Sequence, residues 1–165
     1  MRMAFLFLWL VCGKCYAQAT PDDLYREFSA AYDRLDAAAV TRLYLDSAYL
    51  LNLYDGQPAK SLRGRERIKA YFESFFAGVR ERDQRLVLTF RLVDRQSEGQ
   101  ERLDNGYYRL AAVAADGEPL FVSYGKFSTV VRPTPVGYRF LIDATSNADA
   151  AEFDSAGGWE IPPRQ

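Results

Sequence analysis

Residues 124–146 have the sequence YGKFSTVVRPTPVGYRFLIDATS, which predicts two β-strands joined by a turn rich in proline and glycine. Two charges interrupt the otherwise apolar and aromatic runs, Lys126 in the first strand and Asp143 in the second. A turn at residues 134–137 places residues 126–128 opposite Asp143, so the hairpin allows a cross-strand ion pair between the two charges. Three interpretations stay open: an exposed pair, a matched buried pair, or part of an active site.

The sequence before this hairpin predicts two more strands, and helices ahead of them. Apolar residues recur with a period of two from Arg85 to Val93 and again over residues 106–114. No helical segment separates the four strands, so we expect them to pair antiparallel. The preceding segments are helices at 20–35, 35–46 and 65–81, with a strand at 47–54 between the second and third helices. This order predicts an α+β domain whose helices cover one sheet face.

Two apolar stripes on the helices predict the core. They comprise Leu24, Phe28, Ala31 and Leu35 on the first helix and Ile68, Phe72, Phe75 and Val79 on the third. Aromatic side chains at helical spacing usually pack in a core, so they give no reason to expect a cofactor.

The first nineteen residues have the pattern of a secretory signal peptide. Arg2 gives a positive start, residues 4–12 are apolar, and a small residue stands on each side of Gln18. The apolar run is too short to span a membrane. We therefore expect a secreted or periplasmic protein, with a domain at residues 20–149 and a flexible C-terminal tail at 150–165. Cys12 and Cys15 both lie in the predicted signal.

The sequence contains no histidine, which excludes Ser-His-Asp catalysis, histidine metal ligands and a histidine base. Acid–base chemistry would have to use carboxylates, tyrosines or lysines. The chain has 21 Lys and Arg against 22 Asp and Glu, and this near-neutral balance argues against a nucleic-acid partner. Neither a metal nor a cofactor is predicted.

Three segments resemble a known family. They are FSAAYDRLDAAAVTRLYLDSAYL at 28–50, GRERIKAYFESFF at 64–76 and GKFSTVVRPTPVGYRFLIDATS at 125–146. The chain resembles the nuclear-transport-factor-2-like superfamily, and within it the small SnoaL-like and ketosteroid-isomerase-like bacterial domains. The resemblance implies a cystatin-like curved antiparallel sheet wrapped around helices as a cone, with an apolar pocket at its wide end. One fold of this kind hosts many activities, so the resemblance does not specify a reaction.

Three positions differ from the isomerase-like pattern. Asn52 stands where those enzymes have a carboxylate base, and a carboxamide cannot accept a proton at useful pH. Phe28 replaces a first-helix tyrosine that stabilises an oxyanion, and Ala144 replaces a histidine found in many relatives. Asp143, with Tyr32 or Tyr124, is the remaining candidate for acid–base chemistry.

The leading hypothesis is an exported protein that binds a small apolar or amphipathic molecule without a complete catalytic set. The predicted ligand-binding residues are Tyr32, Asn52, Tyr71, Phe75, Tyr124, Lys126 and Asp143. One alternative is an isomerase, dehydratase or hydrolase that uses Asp143. Another is an interaction domain whose pocket is filled by its own aromatic side chains. Several strands are apolar on both faces, so we also expect a homodimer through the outer sheet face.

Overall fold

Helices and one curved sheet make up the described part of the chain. The structure is a computed structural model, which describes residues 20–114 and 117–162. The helices are α1 (Pro21–Asp33), α2 (Ala37–Arg42), α3 (Arg65–Glu81) and α4 (Ala150–Ser155). The strands are β1 (Tyr44–Leu53), β2 (Lys60–Arg63), β3 (Arg85–Glu98), β4 (Glu101–Val113), β5 (Pro119–Thr134), β6 (Gly137–Ala148) and β7 (Trp159–Ile161). The predicted signal peptide, residues 1–19, lies outside the described residues.

The sheet has seven strands in the order β2-β1-β6-β5-β4-β3-β7. Strands β3 to β6 pair antiparallel in succession, which confirms the prediction for the four long strands. β1 lies beside β6 and runs parallel to it. Two short strands that the sequence did not predict close the edges: β2 pairs with β1, and β7 pairs with β3. The α+β fold class is confirmed.

The second helix is shorter than predicted, and the strand after it is longer. Leu35 has a left-handed φ of 53°, which ends the first helical segment. Asp36 then caps a new helix by accepting from the Ala39 backbone N–H. That helix ends at Arg42, and β1 begins at Tyr44 rather than at residue 47. Tyr44 therefore belongs to the sheet.

The core lies between the helices and the inner face of the sheet, which is the face that packs against α1 and α3. The stripe on α1 is buried as predicted. On α3, Phe76 is fully buried, whereas Phe75 is only half-buried at the edge of the core. The prediction of Phe75 as a central core residue is therefore wrong. Residues 68, 72, 76 and 79 form the buried stripe, since their spacing follows the helical period.

A β-bulge in β6 determines which of its side chains face the core. Consecutive residues of β5 pair with Phe140 and then with Ile142, so Leu141 is the extra residue. In a regular strand, Phe140 and Asp143 would lie on opposite faces. The bulge places both on the inner face, where Phe140 is 2 % and Asp143 is 7 % exposed. The regular alternation of side chains between the two faces is therefore broken within β6.

The C-terminal segment is a structured part of the fold through residue 162, and the predicted flexible tail is corrected to that extent. α4 packs on the outer face of the sheet, where Phe153 is 5 % exposed and contacts the ring of Tyr124. The chain then returns to the edge of β3, and Ile161 of β7 is 1 % exposed. An apolar residue at each end of this segment explains the docking.

Candidate functional site

Asp143 is the buried carboxylate at the centre of the candidate site. Its neighbour in the sheet is β1, and Tyr44 at the start of that strand donates its hydroxyl to Asp143 Oδ2. Within residues 20–114 and 117–162, no other group donates a hydrogen bond to this carboxylate. A buried ionised carboxylate can accept several hydrogen bonds, so Asp143 keeps unused acceptor capacity.

A chain of amide and hydroxyl groups lies beside this carboxylate. Asn52 donates from Nδ2 to Tyr71 Oη at 3.3 Å and accepts from Thr145 Oγ1 at 3.3 Å. The hydroxyl of Tyr54 lies 3.1 Å from Thr145 Oγ1 and 3.3 Å from Tyr108 Oη. These contacts bring β1, α3, β4 and β6 to one place. At 3.1 to 3.3 Å these contacts are longer than typical hydrogen bonds.

The electrostatics of the site are set by burial. Burial raises the pKa of Asp143 to about 6, although the hydrogen bond from Tyr44 offsets part of this effect. Burial also raises the pKa of the Tyr32, Tyr44, Tyr71 and Tyr108 phenols, and the charge of Asp143 adds to that rise. The site therefore combines one carboxyl group that titrates close to neutral pH with phenols that stay neutral and can donate.

An inner cavity of about 50 Å³ adjoins Asp143. Its apolar wall consists of Phe28, Leu88, Phe90, Phe127 and Phe140, and its polar wall of Tyr25, Tyr108, Thr129, Asp143 and Thr145. Pockets for drug-sized ligands hold about 300–1,000 Å³. The inner cavity therefore accepts a group of a few heavy atoms unless neighbouring side chains move.

A larger mouth hollow, of about 290 Å³, opens next to the inner cavity. The mouth hollow is lined by Phe75, Val79, Arg82, Gln84, Leu86, Leu110, Ala112 and Phe121. The two spaces are adjacent along the strands, because residues two apart on a strand share a face. On β3, Leu86 lines the mouth hollow and Leu88 the inner cavity, and on β4 Leu110 and Tyr108 have the same relation.

Gly125 on β5 makes room for the ring of Tyr108. A Cβ atom at position 125 would lie 2.2 Å from Tyr108 Cζ and 2.3 Å from its hydroxyl oxygen. Any side chain there would displace the phenol from the site. The absence of a side chain at Gly125 therefore positions the Tyr108 hydroxyl near Tyr54.

The predicted ion pair between Lys126 and Asp143 does not form. The inner face of β5 carries Gly125 and Phe127, so Lys126 points to the outer face, where its side chain is 45 % exposed and pairs with Glu152 of α4. Asp143 lies opposite Thr129 on the inner face. The two charges are on opposite sides of the sheet, and Lys126 holds α4 instead.

The structure divides the predicted ligand-binding residues into two groups. Tyr32, Asn52, Tyr71, Phe75 and Asp143 lie in or at the mouth of the cone. Tyr124 lies with Lys126 on the outer face, where its ring packs on Phe153. Tyr124 is therefore not placed to act with Asp143, whereas the phenol of Tyr32 is close enough to be influenced by the Asp143 charge.

Two of the three positions that differ from the isomerase-like pattern, Asn52 and Phe28, make contacts within the protein. Asn52 is buried and hydrogen-bonded to Tyr71 and Thr145. Phe28 is a core residue whose ring packs against Tyr44, with 6.2 Å between centroids. Neither residue carries a group that takes up a proton at neutral pH.

A second buried carboxylate, Asp104, lies behind the cavity wall and is hydrogen-bonded to Tyr25, which lines the inner cavity. Arg95 donates two hydrogen bonds to it, at 2.7 and 2.9 Å, and a third to Asp22 at 2.6 Å. Tyr25 also donates to Asp104, at 2.7 Å, and lies 2.7 Å from Thr129 Oγ1. These donors satisfy the hydrogen-bonding capacity of the Asp104 carboxylate. The cluster therefore has a structural role, because it connects α1 with β3, β4 and β5.

Sequence reasoning missed Tyr44, Tyr54, Tyr108 and Thr145 as site residues. Tyr44 was predicted to lie in a helix, and a tyrosine in a strand carries no local signal that its hydroxyl meets a carboxylate. Thr145 could have been predicted from strand periodicity, because it lies two residues after Asp143 and therefore on the same face. Tyr54 and Tyr108 meet through the curvature of the sheet, which no local pattern encodes.

Two kinds of feature were not found in the part of the chain that the structure describes. No group of three or more Asp, Glu, Cys or His side chains there is arranged to hold a metal ion. No described helix is long and apolar enough to cross a membrane.

Known structures share this fold at low sequence identity. No protein-family model matches the sequence, and no curated protein matches it. ActVI-ORFA from Streptomyces coelicolor superposes with a TM-score of 0.64 at 16% identity, covering 76% of this chain and 92% of that one. A ketosteroid isomerase-like protein from Erwinia carotovora atroseptica superposes with a TM-score of 0.55 at 15% identity, covering 78% of this chain and 93% of that one. An NTF-2-like protein of unknown function from Shewanella oneidensis MR-1 superposes with a TM-score of 0.57 at 15% identity, covering 76% of this chain and 94% of that one. The chain therefore has the fold of the nuclear-transport-factor-2-like superfamily.

Proposed function

We propose that the protein binds a small amphipathic molecule inside the cone, with Asp143 as the group that holds its polar end. The observation that carries this proposal is the buried carboxylate, which adjoins a cavity and accepts one hydrogen bond, from Tyr44, in the described residues. Burial of a charged group is costly unless hydrogen bonds compensate for the lost water. A donor on a ligand would supply the compensation that the described residues do not.

The two spaces define the shape of the proposed ligand. The inner cavity of about 50 Å³ takes a polar end of a few heavy atoms. An apolar body then extends into the mouth hollow, which Phe75, Leu86 and Leu110 line with apolar surface.

We further propose that the protein works outside the cytoplasm. The support is the signal-like pattern of residues 1–19, in which a positive start precedes an apolar run and a small-residue cleavage motif.

Native mass spectrometry of protein recovered from the medium or periplasm of its source cells tests both proposals. We expect a polypeptide mass that begins at Thr20 and a second species that carries a bound small molecule. Asp143→Asn should weaken that ligand by about 1–3 kcal/mol, because a buried partner loses its charge-assisted bond. Asp94→Asn, which changes an exposed carboxylate on β3, serves as the matched control. Ligand-free protein from every fraction, with no added amphipathic molecule bound, would reject the binding function.

The pKa of Asp143 favours a second candidate, an isomerase, dehydratase or hydrolase. A carboxyl group with a pKa of about 6 can take up a proton near neutral pH, and the Tyr44 and Tyr32 phenols can stabilise negative charge on a substrate. Turnover of a carbonyl or hydroxyl compound that Asp143→Asn abolishes would establish this alternative. An added ligand that is recovered unchanged after prolonged incubation supports binding alone.

A further inference from the structure

We propose that the polar end of the ligand is an ammonium group, so that the protein binds an amphipathic organic cation. This inference rests on the proposed function, because it assigns the class of ligand that the same cavity takes. It follows from the aromatic wall of the inner cavity, from the charges around that cavity, and from the acceptor capacity of Asp143.

Six of the ten residues that line the inner cavity are aromatic. The rings that line it belong to Tyr25, Phe28, Phe90, Tyr108, Phe127 and Phe140. Neighbouring rings pack on one another, with centroid distances of 5.1 Å for Tyr25–Phe90, 5.5 Å for Phe90–Phe127 and 5.5 Å for Phe28–Phe140. The face of an aromatic ring is electron-rich and attracts a cation within about 6 Å of its centroid. A cage of several rings is the arrangement that recognises alkylammonium groups.

The charge that Asp143 places in the cavity wall is negative and has no cationic partner among the described residues. Of the described residues that line this cavity, Asp143 is the one with a charged side chain. The groups that face Asp143 from the neighbouring elements are the phenols of Tyr32 on α1, Tyr44 on β1, Tyr71 on α3 and Tyr108 on β4. All are neutral donors, so the carboxylate charge is not balanced by the described residues.

A charged cluster behind the cavity wall adds to this negative potential. Tyr25 lines the cavity and donates to Asp104, and Arg95 is shared between Asp104 and Asp22. One guanidinium between two carboxylates leaves an excess of one negative charge. The carboxylate in the cavity wall and the charged cluster behind that wall therefore both favour a positive ligand.

An ammonium group fits this site better than a neutral or negative group does. An alcohol can donate one hydrogen bond to Asp143 but leaves the buried charge uncompensated. A carboxylate or phosphate on a ligand would meet a like charge in a low-dielectric site. An ammonium group neutralises the charge, donates to the unused acceptor positions, and packs its methylene or methyl groups on the rings.

The test compares three short molecules with the same chain and different ends: n-butylammonium, 1-butanol and butanoate. Each is titrated against the mature protein, residues 20–165, at pH 8 and followed by saturation-transfer NMR. We expect n-butylammonium to bind about tenfold or more tightly than 1-butanol, as a desolvated cation–π contact implies. Butanoate should not bind measurably.

Variants and pH identify the groups that carry the preference. Asp143→Asn should remove the advantage of n-butylammonium while 1-butanol still binds, which also shows that the variant is folded. Phe127→Leu should weaken n-butylammonium several-fold more than 1-butanol, and Asp94→Asn should change neither. Lowering the pH from 8 to 5 should weaken n-butylammonium about tenfold, because Asp143 takes up a proton near pH 6 while an alkylammonium stays charged.

The outcomes separate the ammonium assignment from the proposed function. Equal or tighter binding of 1-butanol at pH 8, or preferential binding of butanoate, overturns the ammonium group while binding in the cone stands. Binding of none of the three molecules rejects both. Retention of the n-butylammonium preference in Asp143→Asn also overturns the assignment.

Discussion

Burial of Asp143 makes the stability of the protein depend on pH. The pKa of this carboxyl group is about 6 in the folded protein against an ordinary value of 3.8, so the folded state binds the proton more tightly than the unfolded chain does. Its contribution to stability is present below pH 3.8 and is lost as the pH rises through about 6. A shift of this size corresponds to about 3 kcal/mol of destabilisation at pH 8.

Replacement of Asp143 by asparagine should therefore stabilise the protein at high pH. The asparagine can still accept the hydrogen bond from Tyr44 but carries no charge. We expect Asp143→Asn to raise the free energy of unfolding by up to about 3 kcal/mol at pH 8, with the gain falling towards zero near pH 4. Urea denaturation at the two pH values measures this difference. An equal gain at both would show that the charge is not the cause, and Asp94→Asn should show no such trend.

At the scale of elements, α4 and β7 form a strap across the sheet. The ring of Phe153 lies between α4 and the sheet. Arg91 Cζ lies 4.4 Å from the centroid of this ring, and Arg91 also donates a hydrogen bond to the Phe153 carbonyl oxygen. Lys126 pairs with Glu152 on the same helix. Apolar packing and these polar contacts hold a segment whose composition suggested a loose tail.

The strap should protect the C-terminal segment from proteolysis. We expect the intact protein to resist limited proteolysis up to about residue 162 and Phe153→Ala to be cleaved early after residue 149, since the variant loses the buried ring. Phe121→Ala is the matched control, because it removes the same ring from a side chain that is 64 % exposed. Early cleavage of the unmodified protein in this segment would mean that the strap is not docked in solution. The strap can open without global unfolding, so the loss in global stability should be smaller than for a central core phenylalanine.

At the scale of the whole molecule, the strap leaves part of the outer sheet face uncovered. The sequence predicts a homodimer through that face because the helices cover only the other one. α4 now covers β4 and β5 in part, and the uncovered apolar surface lies on β1 and β6, where it includes the half-buried Tyr49, Leu51 and Ile142. An apolar surface of this kind favours association in water.

We therefore expect a homodimer whose contact is centred on β1 and β6. Light scattering should give twice the chain mass over a wide concentration range, and Leu51→Lys should shift it to one chain mass by placing a charge in the contact. Lys126→Ala changes a charge on the part of the face that α4 covers and should leave the mass unchanged. A single chain mass for the unmodified protein at all concentrations would contradict the dimer.

Hydrophobic periods and turn residues are local properties, so the sequence was enough to predict the fold class. The period of two over β3 to β6 and the stripe on α1 were enough to place helices on one face of an antiparallel sheet. The same patterns brought attention to Asp143 as a charge inside an apolar run.

The partners of that charge, in contrast, depend on tertiary contacts. One extra residue, Leu141, reverses the alternation in β6 and turns Asp143 inward with Phe140. The parallel pairing of β1 with β6 then delivers Tyr44, and Lys126 lies on the other side of the sheet. Bulges, sheet curvature and strand order depend on contacts between residues about 100 positions apart, as for Tyr44 and Asp143, so local pattern cannot encode them.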